Sequence, residues 1–113
     1  MHEMSLAEGI LDIVEDTARA QGASRVLEIT LEIGALAGVE VDALRFCLDA
    51  ILHDSVAADA RVSIERLPGR GWCLACANEV EIAQLYDPCP RCGAYQVTAT
   101  AGRDMRVKDL LLE

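Results

Sequence analysis

The chain predicts an α+β fold, in which a small domain of two helices and a mixed sheet carries an inserted four-cysteine module. Three observations predict it. Two stretches repeat apolar residues at helical spacing, and several shorter ones alternate apolar and polar residues with the period of a strand. Between a Pro-Gly turn and a late strand, the cysteine pairs Cys73/Cys76 and Cys89/Cys92 interrupt that pattern.

Leu6, Ile10, Ile13 and Val14 form one apolar stripe, so a helix is expected from about Met4 to about Gln21, with Gly22 as its stop. Its other face carries Glu8, Asp12, Glu15, Asp16 and Arg19. Leu27, Ile29, Leu31 and Ile33 then alternate with Glu28, Thr30 and Glu32, the pattern of a strand with one buried face, and Gly34 and Gly38 punctuate the turn after it. A second helix is expected from about Val41 to about Val56, with Leu44, Cys47, Leu48, Ile51 and Leu52 on one side and Asp42 as its candidate N-terminal cap. Val62 and Ile64 mark a short strand ending at Pro68-Gly69. Residues 96–100 and 105–108 read as two further strands. The final strand would leave unmatched backbone groups unless it returns to pair with the first part of the chain. The predicted division is therefore 1–67 plus 99–113 for the α+β domain and 68–98 for the inserted module.

Each cysteine pair is a CxxC, and twelve residues separate the two pairs. A two-residue gap lets both thiolates of one turn converge on a single ion, and two such turns supply a tetrahedral zinc site of zinc-ribbon type from Cys73, Cys76, Cys89 and Cys92. Four protein ligands leave no open position, so the zinc is structural. A module this small buries little apolar surface, and the metal would contribute most of its folding free energy. Disulfides suit secreted scaffolds, but the start Met1-His2-Glu3-Met4 shows no signal-peptide pattern. Asp87, Pro88, Pro90 and Gly93 frame the second pair as a tight turn rather than the strand-to-helix junction of a redox dithiol.

Composition narrows the function further. Nineteen acidic residues against ten Lys and Arg give a formal charge of −9, the wrong sign for a phosphate backbone, so no nucleic-acid partner is expected. The sequence holds no membrane-spanning run and no GxxxxGK[ST] phosphate loop, so any nucleotide chemistry must come from a partner. A cytoplasmic, reducing setting is expected.

The amino terminus carries the second chemical feature. A terminal amine, the His2 amide nitrogen and the His2 imidazole Nδ1 can close adjacent five- and six-membered chelate rings, which favour coplanar nitrogens and suit Ni(II) or Cu(II) better than tetrahedral Zn(II). On chemistry alone, the competing reading is a frayed, solvated His2 followed by a Glu3 that favours the positive end of the first helix.

The start Met1 to Ala7, the Ile33-Gly34-Ala35-Leu36-Ala37-Gly38-Val39-Glu40 turn, the Leu67-Pro68-Gly69 exit, the cysteine quartet and the Gly102-Arg103-Asp104-Met105-Arg106-Val107 ending together resemble the HypA/HybF family. The likeness runs in order over essentially the whole chain. The resemblance implies a nickel metallochaperone of hydrogenase maturation, with exchangeable Ni(II) as cargo and Zn(II) as structural metal. It implies His2 as the principal nickel ligand, Met1 and Glu3 as support, and Glu40 as an acidic position able to orient His2. The implied partners are a HypB-type GTPase, the large subunit of a nickel-iron hydrogenase and, as a further candidate, urease maturation proteins. A monomer or weak homodimer is expected. Asp104 departs from the family pattern, where many relatives carry Glu.

Two other classes compete with that reading. A zinc-ribbon interaction module acting in transcription or assembly would need no His2, whereas a zinc hydrolase would need an open ligand position and a general base, and the chain has no HExxH helix. No enzyme activity is expected. Cys47, on an apolar helix face, reads as a core residue, and His53 as a side chain meeting a helix C-terminus. Trp72 and Tyr86 flank the cysteine turns and are expected to cover the module's small core.

Overall fold

The computed structural model describes residues 2–113. In chain order the elements are α1 (His2–Ala20), β1 (Val26–Gly34), α2 (Val41–Leu52), β2 (Arg61–Leu67), β3 (Gly69–Cys73), β4 (Asn78–Ile82), β5 (Val97–Ala101) and β6 (Met105–Leu112). They form two three-stranded sheets, β2-β1-β6 and β4-β3-β5. The first is mixed. Glu28 meets Ser63 and Ala35 meets Leu67, so β1 and β2 run parallel, whereas the Arg25–Glu113 and Gly34–Asp104 contacts run β6 against β1. A parallel pair needs a crossover, and α2 supplies it.

The described chain separates into two compact units. One runs to Leu31 and adds Val39–Ile64 and Val107–Glu113, and the other joins Glu32–Gly38 to Glu65–Arg106. In the helical unit, Ala7, Ile10, Val14 and Ala18 of α1 and Leu44, Cys47, Leu48 and Leu52 of α2 are buried, at the spacing their sequence period requires. Cys47 is a core residue as expected, 1% exposed. Ile13 is not, being 49% exposed. It lies at the margin of the α1 stripe, where Ile10 and Val14 already fill the inward positions.

Several boundaries differ from the sequence reading for local reasons. The first helix begins at His2 rather than about Met4, so the metal-binding candidate at the terminus is helical. The second stops at Leu52, before Val56, because the Ser55 hydroxyl donates to the Leu52 carbonyl and accepts from the Ala57 amide, offering the backbone an alternative to the next turn. Burial on β1 is not confined to one face, since Thr30 is buried with Ile29 and Leu31, as befits a central strand.

The second unit has its own core of Leu36, Cys73, Val80, Ile82 and Cys89, with Cys76, Ala94, Val97 and Ala99 packed around it. Trp72 and Tyr86 do not cover it. They are 42% and 89% exposed. Trp72 sits between two buried residues, Gly71 and Cys73, and strand alternation turns its ring to the opposite face from the thiol. Strand β3 escaped the sequence reading because Gly69 and Gly71 carry no alternating side chains, whereas β4 was missed although Glu79, Val80, Glu81 and Ile82 alternate. At Gly71 no side chain would fit, as a Cβ there would lie 2.6 Å from the Val97 side chain.

Candidate metal centres

The hairpin of β3 and β4 builds the first cysteine turn. Cys73 ends β3 opposite Asn78, the first residue of β4, and the four residues between them include Cys76. The turn closes through Ala77 at φ 51, where Asn78 Nδ2 donates to the Cys76 carbonyl at 2.8 Å. The second turn is closed by backbone bonds from Cys89 N to Ala94 O and from Gly93 N to Cys89 O, both 2.8 Å. Gly93 takes φ 77, which a side chain would oppose. Upstream, one Asp87 carboxylate oxygen accepts from the amides of Ala83 and Gln84, holding the approach to that turn.

These turns bring the four Sγ atoms within 4.8 Å of one another. Two contacts cross between the turns: Cys73 to Cys92 is 3.6 Å and Cys76 to Cys89 is 3.8 Å. A tetrahedron with Zn–S of about 2.3 Å has sulfur–sulfur edges of about 3.8 Å, so the quartet fits a zinc ion. A disulfide of about 2.05 Å is excluded at these separations. The donors are all thiolates, the set that holds structural zinc, and Cys73, Cys76, Cys89 and Cys92 would hold it.

The electrostatics of the quartet are uneven. Burial pushes the Cys89 thiol up, but the amides of Cys92 and Arg91, with the thiols of Cys92 and Cys73, bring it down to about 6. The Arg91 amide points at that sulfur from 3.4 Å. Cys76 is pushed up to about 12, chiefly by its hydrogen bond with Cys73 and then by burial. At Cys92 the Ala94 amide lowers the pKa, yet the Cys73 contact and burial together raise it. One thiolate is thus already stabilised by backbone dipoles before metal arrives.

The terminus is organised by Glu3. His2 Nδ1 lies 3.4 Å from Glu3 Oε2, and the same carboxylate oxygen accepts from the backbone amide of Glu40 at 3.4 Å. Glu40 is the N-cap residue of α2 and makes no side-chain cap bond, so Glu3 supplies a negative charge at that helix N-terminus, where the dipole favours it. The Glu40 amide holds the Glu3 carboxyl below its ordinary value, helped by the Glu3 amide and His2. The group meeting His2 is thus the Glu3 carboxylate, and Glu40 enters through its backbone. That link joins residues 37 positions apart through a main-chain donor, which no side-chain pattern announces. The His2 side chain is 59% exposed and that of Glu3 19%. His2 is the first residue of α1, where the leading amides have no acceptor inside the helix, and the Glu3 amide turns to its own carboxylate. Met1 lies outside the described residues. His53 follows α2 as an exposed C-cap residue 3.9 Å from Asp54.

Comparison with known proteins gives a consistent result. Residues 1–112 match the model of the HypA family, described as hydrogenase/urease nickel incorporation, metallochaperone. The chain is 65% identical over 112 residues to the hydrogenase maturation factor HypA of Azoarcus sp. strain BH72, covering 99% of this chain and 98% of that one. It is 52% identical to the factor of the same name from Dechloromonas aromatica over the full length of both. The fold is similar to the solution structure of the nickel metallochaperone HypA from Helicobacter pylori, with a TM-score of 0.69 at 21% identity over 97% of this chain and 96% of that one. A second HypA solution structure gives a TM-score of 0.70 at 22% identity, covering 100% and 97%. The chain belongs to the HypA family of nickel-incorporation metallochaperones, maturation factors rather than enzymes.

Proposed function

We propose that the chain carries Ni(II) at its amino terminus and helps insert it into the large subunit of a nickel-iron hydrogenase, with a HypB-type GTPase as partner. His2 is the principal ligand, and Met1 and Glu3 support it. The observation that carries this reading is an exposed imidazole at the open start of α1, beside amides with no helical acceptor. Nitrogen donors of this kind suit square-planar Ni(II). An exposed site also exchanges its cargo more readily than a closed cage.

Glu3 connects the terminus to α2 through the Glu40 amide, and Glu40 supports the site in that way. Zinc on Cys73, Cys76, Cys89 and Cys92 is structural in this reading. Four free cysteines close to one another fit a reducing, cytoplasmic setting.

The test is a nickel titration of zinc-loaded, untagged protein alongside His2→Ala, following stoichiometry and the visible absorption of square-planar Ni(II). One site per chain that disappears in the variant is the expected outcome. Unchanged binding in His2→Ala would sink the terminal site.

A further inference from the structure

We propose that Phe46 anchors a docking face on α2 for the protein that receives the metal, and that this partner presents an apolar pocket ringed by Lys and Arg. The inference rests on the reading of His2 as the cargo site.

Helix α2 buries Leu44, Cys47, Leu48 and Leu52, and its outer face exposes Asp42, Phe46, Asp49 and Ala50. Phe46 is the only phenylalanine of the chain and is 74% exposed. A single exposed apolar residue is ordinary and decides nothing by itself. Its surroundings are more specific. Asp42 and Asp49 stand one turn before and one turn after it. Arg45, the cation next to it in sequence, is turned back to donate to the Val62 carbonyl at 3.1 Å. Phe46 is therefore bordered by carboxylates whose neighbouring guanidinium is already engaged.

The charge of the whole unit points the same way. The unit holding α1 and α2 contains 13 acidic residues against 5 Lys and Arg, whereas the cysteine unit contains 6 against 5. Nearly all of the net negative charge thus lies on the helical unit, and the complementary partner face is basic. Such complementarity raises encounter rate and fixes orientation, while a buried aromatic supplies the anchor.

Placement supplies the third argument. Phe46 lies six residues along α2 from Glu40, a rise of about 9 Å, and the Glu40 amide holds the carboxylate that meets His2. A partner seated on Phe46 is therefore brought to the cargo terminus, which is what a recipient requires.

The test measures the affinity of nickel-loaded full-length protein for the purified, nickel-free large subunit of a nickel-iron hydrogenase, at low and high salt. Phe46→Ala is expected to weaken association at least about tenfold. The pair Asp42→Lys and Asp49→Lys is expected to weaken it and flatten its salt dependence. Tyr86→Ala, which removes another exposed aromatic, is expected to leave affinity unchanged. All three should keep the parent's nickel stoichiometry and thermal midpoint. An affinity within twofold of the parent for Phe46→Ala, or a parent that does not associate with the large subunit, overturns the proposal. A parent that binds no nickel would instead remove the underlying reading, and the same affinities taken on nickel-free, zinc-loaded protein would then decide the docking face by the same criteria.

Discussion

The carboxyl group of Glu3 shows how one side chain ties a terminus to a distant helix. Its pKa is lowered first by the Glu40 amide, then by its own amide and by His2. A group whose folded pKa lies below its unfolded value contributes stability above the unfolded value, and that contribution is lost as pH falls through the folded pKa. The Glu3 side-chain carboxyl carbon resonance should therefore titrate with a midpoint below 4.5, its ordinary value, and Glu3→Gln should remove that acid-dependent step from the unfolding profile. A midpoint at or above the ordinary value would refute the link. The four cysteine positions that the fold gathers were legible at this scale, because ligand chemistry resides in residue type and spacing. The Glu3–Glu40 contact was not, since its donor is a backbone group. Nor were the exposed rings of Trp72 and Tyr86, whose orientation is set by strand alternation and by loop path.

The hairpin of β3 and β4 is the element that makes the metal site. It holds Cys73 at a strand end and Cys76 in a strained turn, and the loop from 89 to 94 presents Cys89 to backbone amides. Near neutral pH, Cys89, lowered to about 6, is largely thiolate, whereas Cys76, raised to about 12, keeps its proton. Cys92 is raised as well. Zinc must displace the protons that remain, so affinity rises with pH. Calorimetry in buffers of differing ionisation enthalpy should register proton release that is positive near neutral pH and smaller than one proton per thiol. Release of one proton for every cysteine would argue against the amide-stabilised Cys89 thiolate. Long elements with a clear period were read from sequence, as α1 and β1 show, whereas only the first half of β6 was. The glycine-bearing β3 was hidden, because its need for small residues comes from the strands and side chains crossing it rather than from its own pattern.

On the scale of the whole molecule, main chain approaches main chain at a crossing of three distant segments. Gly102 sits at φ 85, and a Cβ there would come within 2.5 Å of the Pro68 carbonyl oxygen and 2.9 Å of Gly69 Cα. At Gly34 a Cβ would collide with the Gly102 carbonyl itself. Both the φ and the contact oppose a side chain, so Gly102→Ala is expected to cost at least about 2 kcal/mol. Denaturant unfolding of zinc-loaded protein measures it, and a loss below about 0.5 kcal/mol, the range of ordinary surface changes, would rule the crossing out as a constraint.

The sequence order of these segments also governs synthesis. Domains generally fold as units while the chain emerges from the ribosome, amino-terminal parts first. Here each unit draws on segments far apart in the chain, and the helical unit needs Val107–Glu113. The strand that completes the sheet around β1 is the last to be made. The nascent chain therefore exposes α1 well before the strand that completes its sheet, so a chain stalled before Met105 carries that helix without the assembled unit around it.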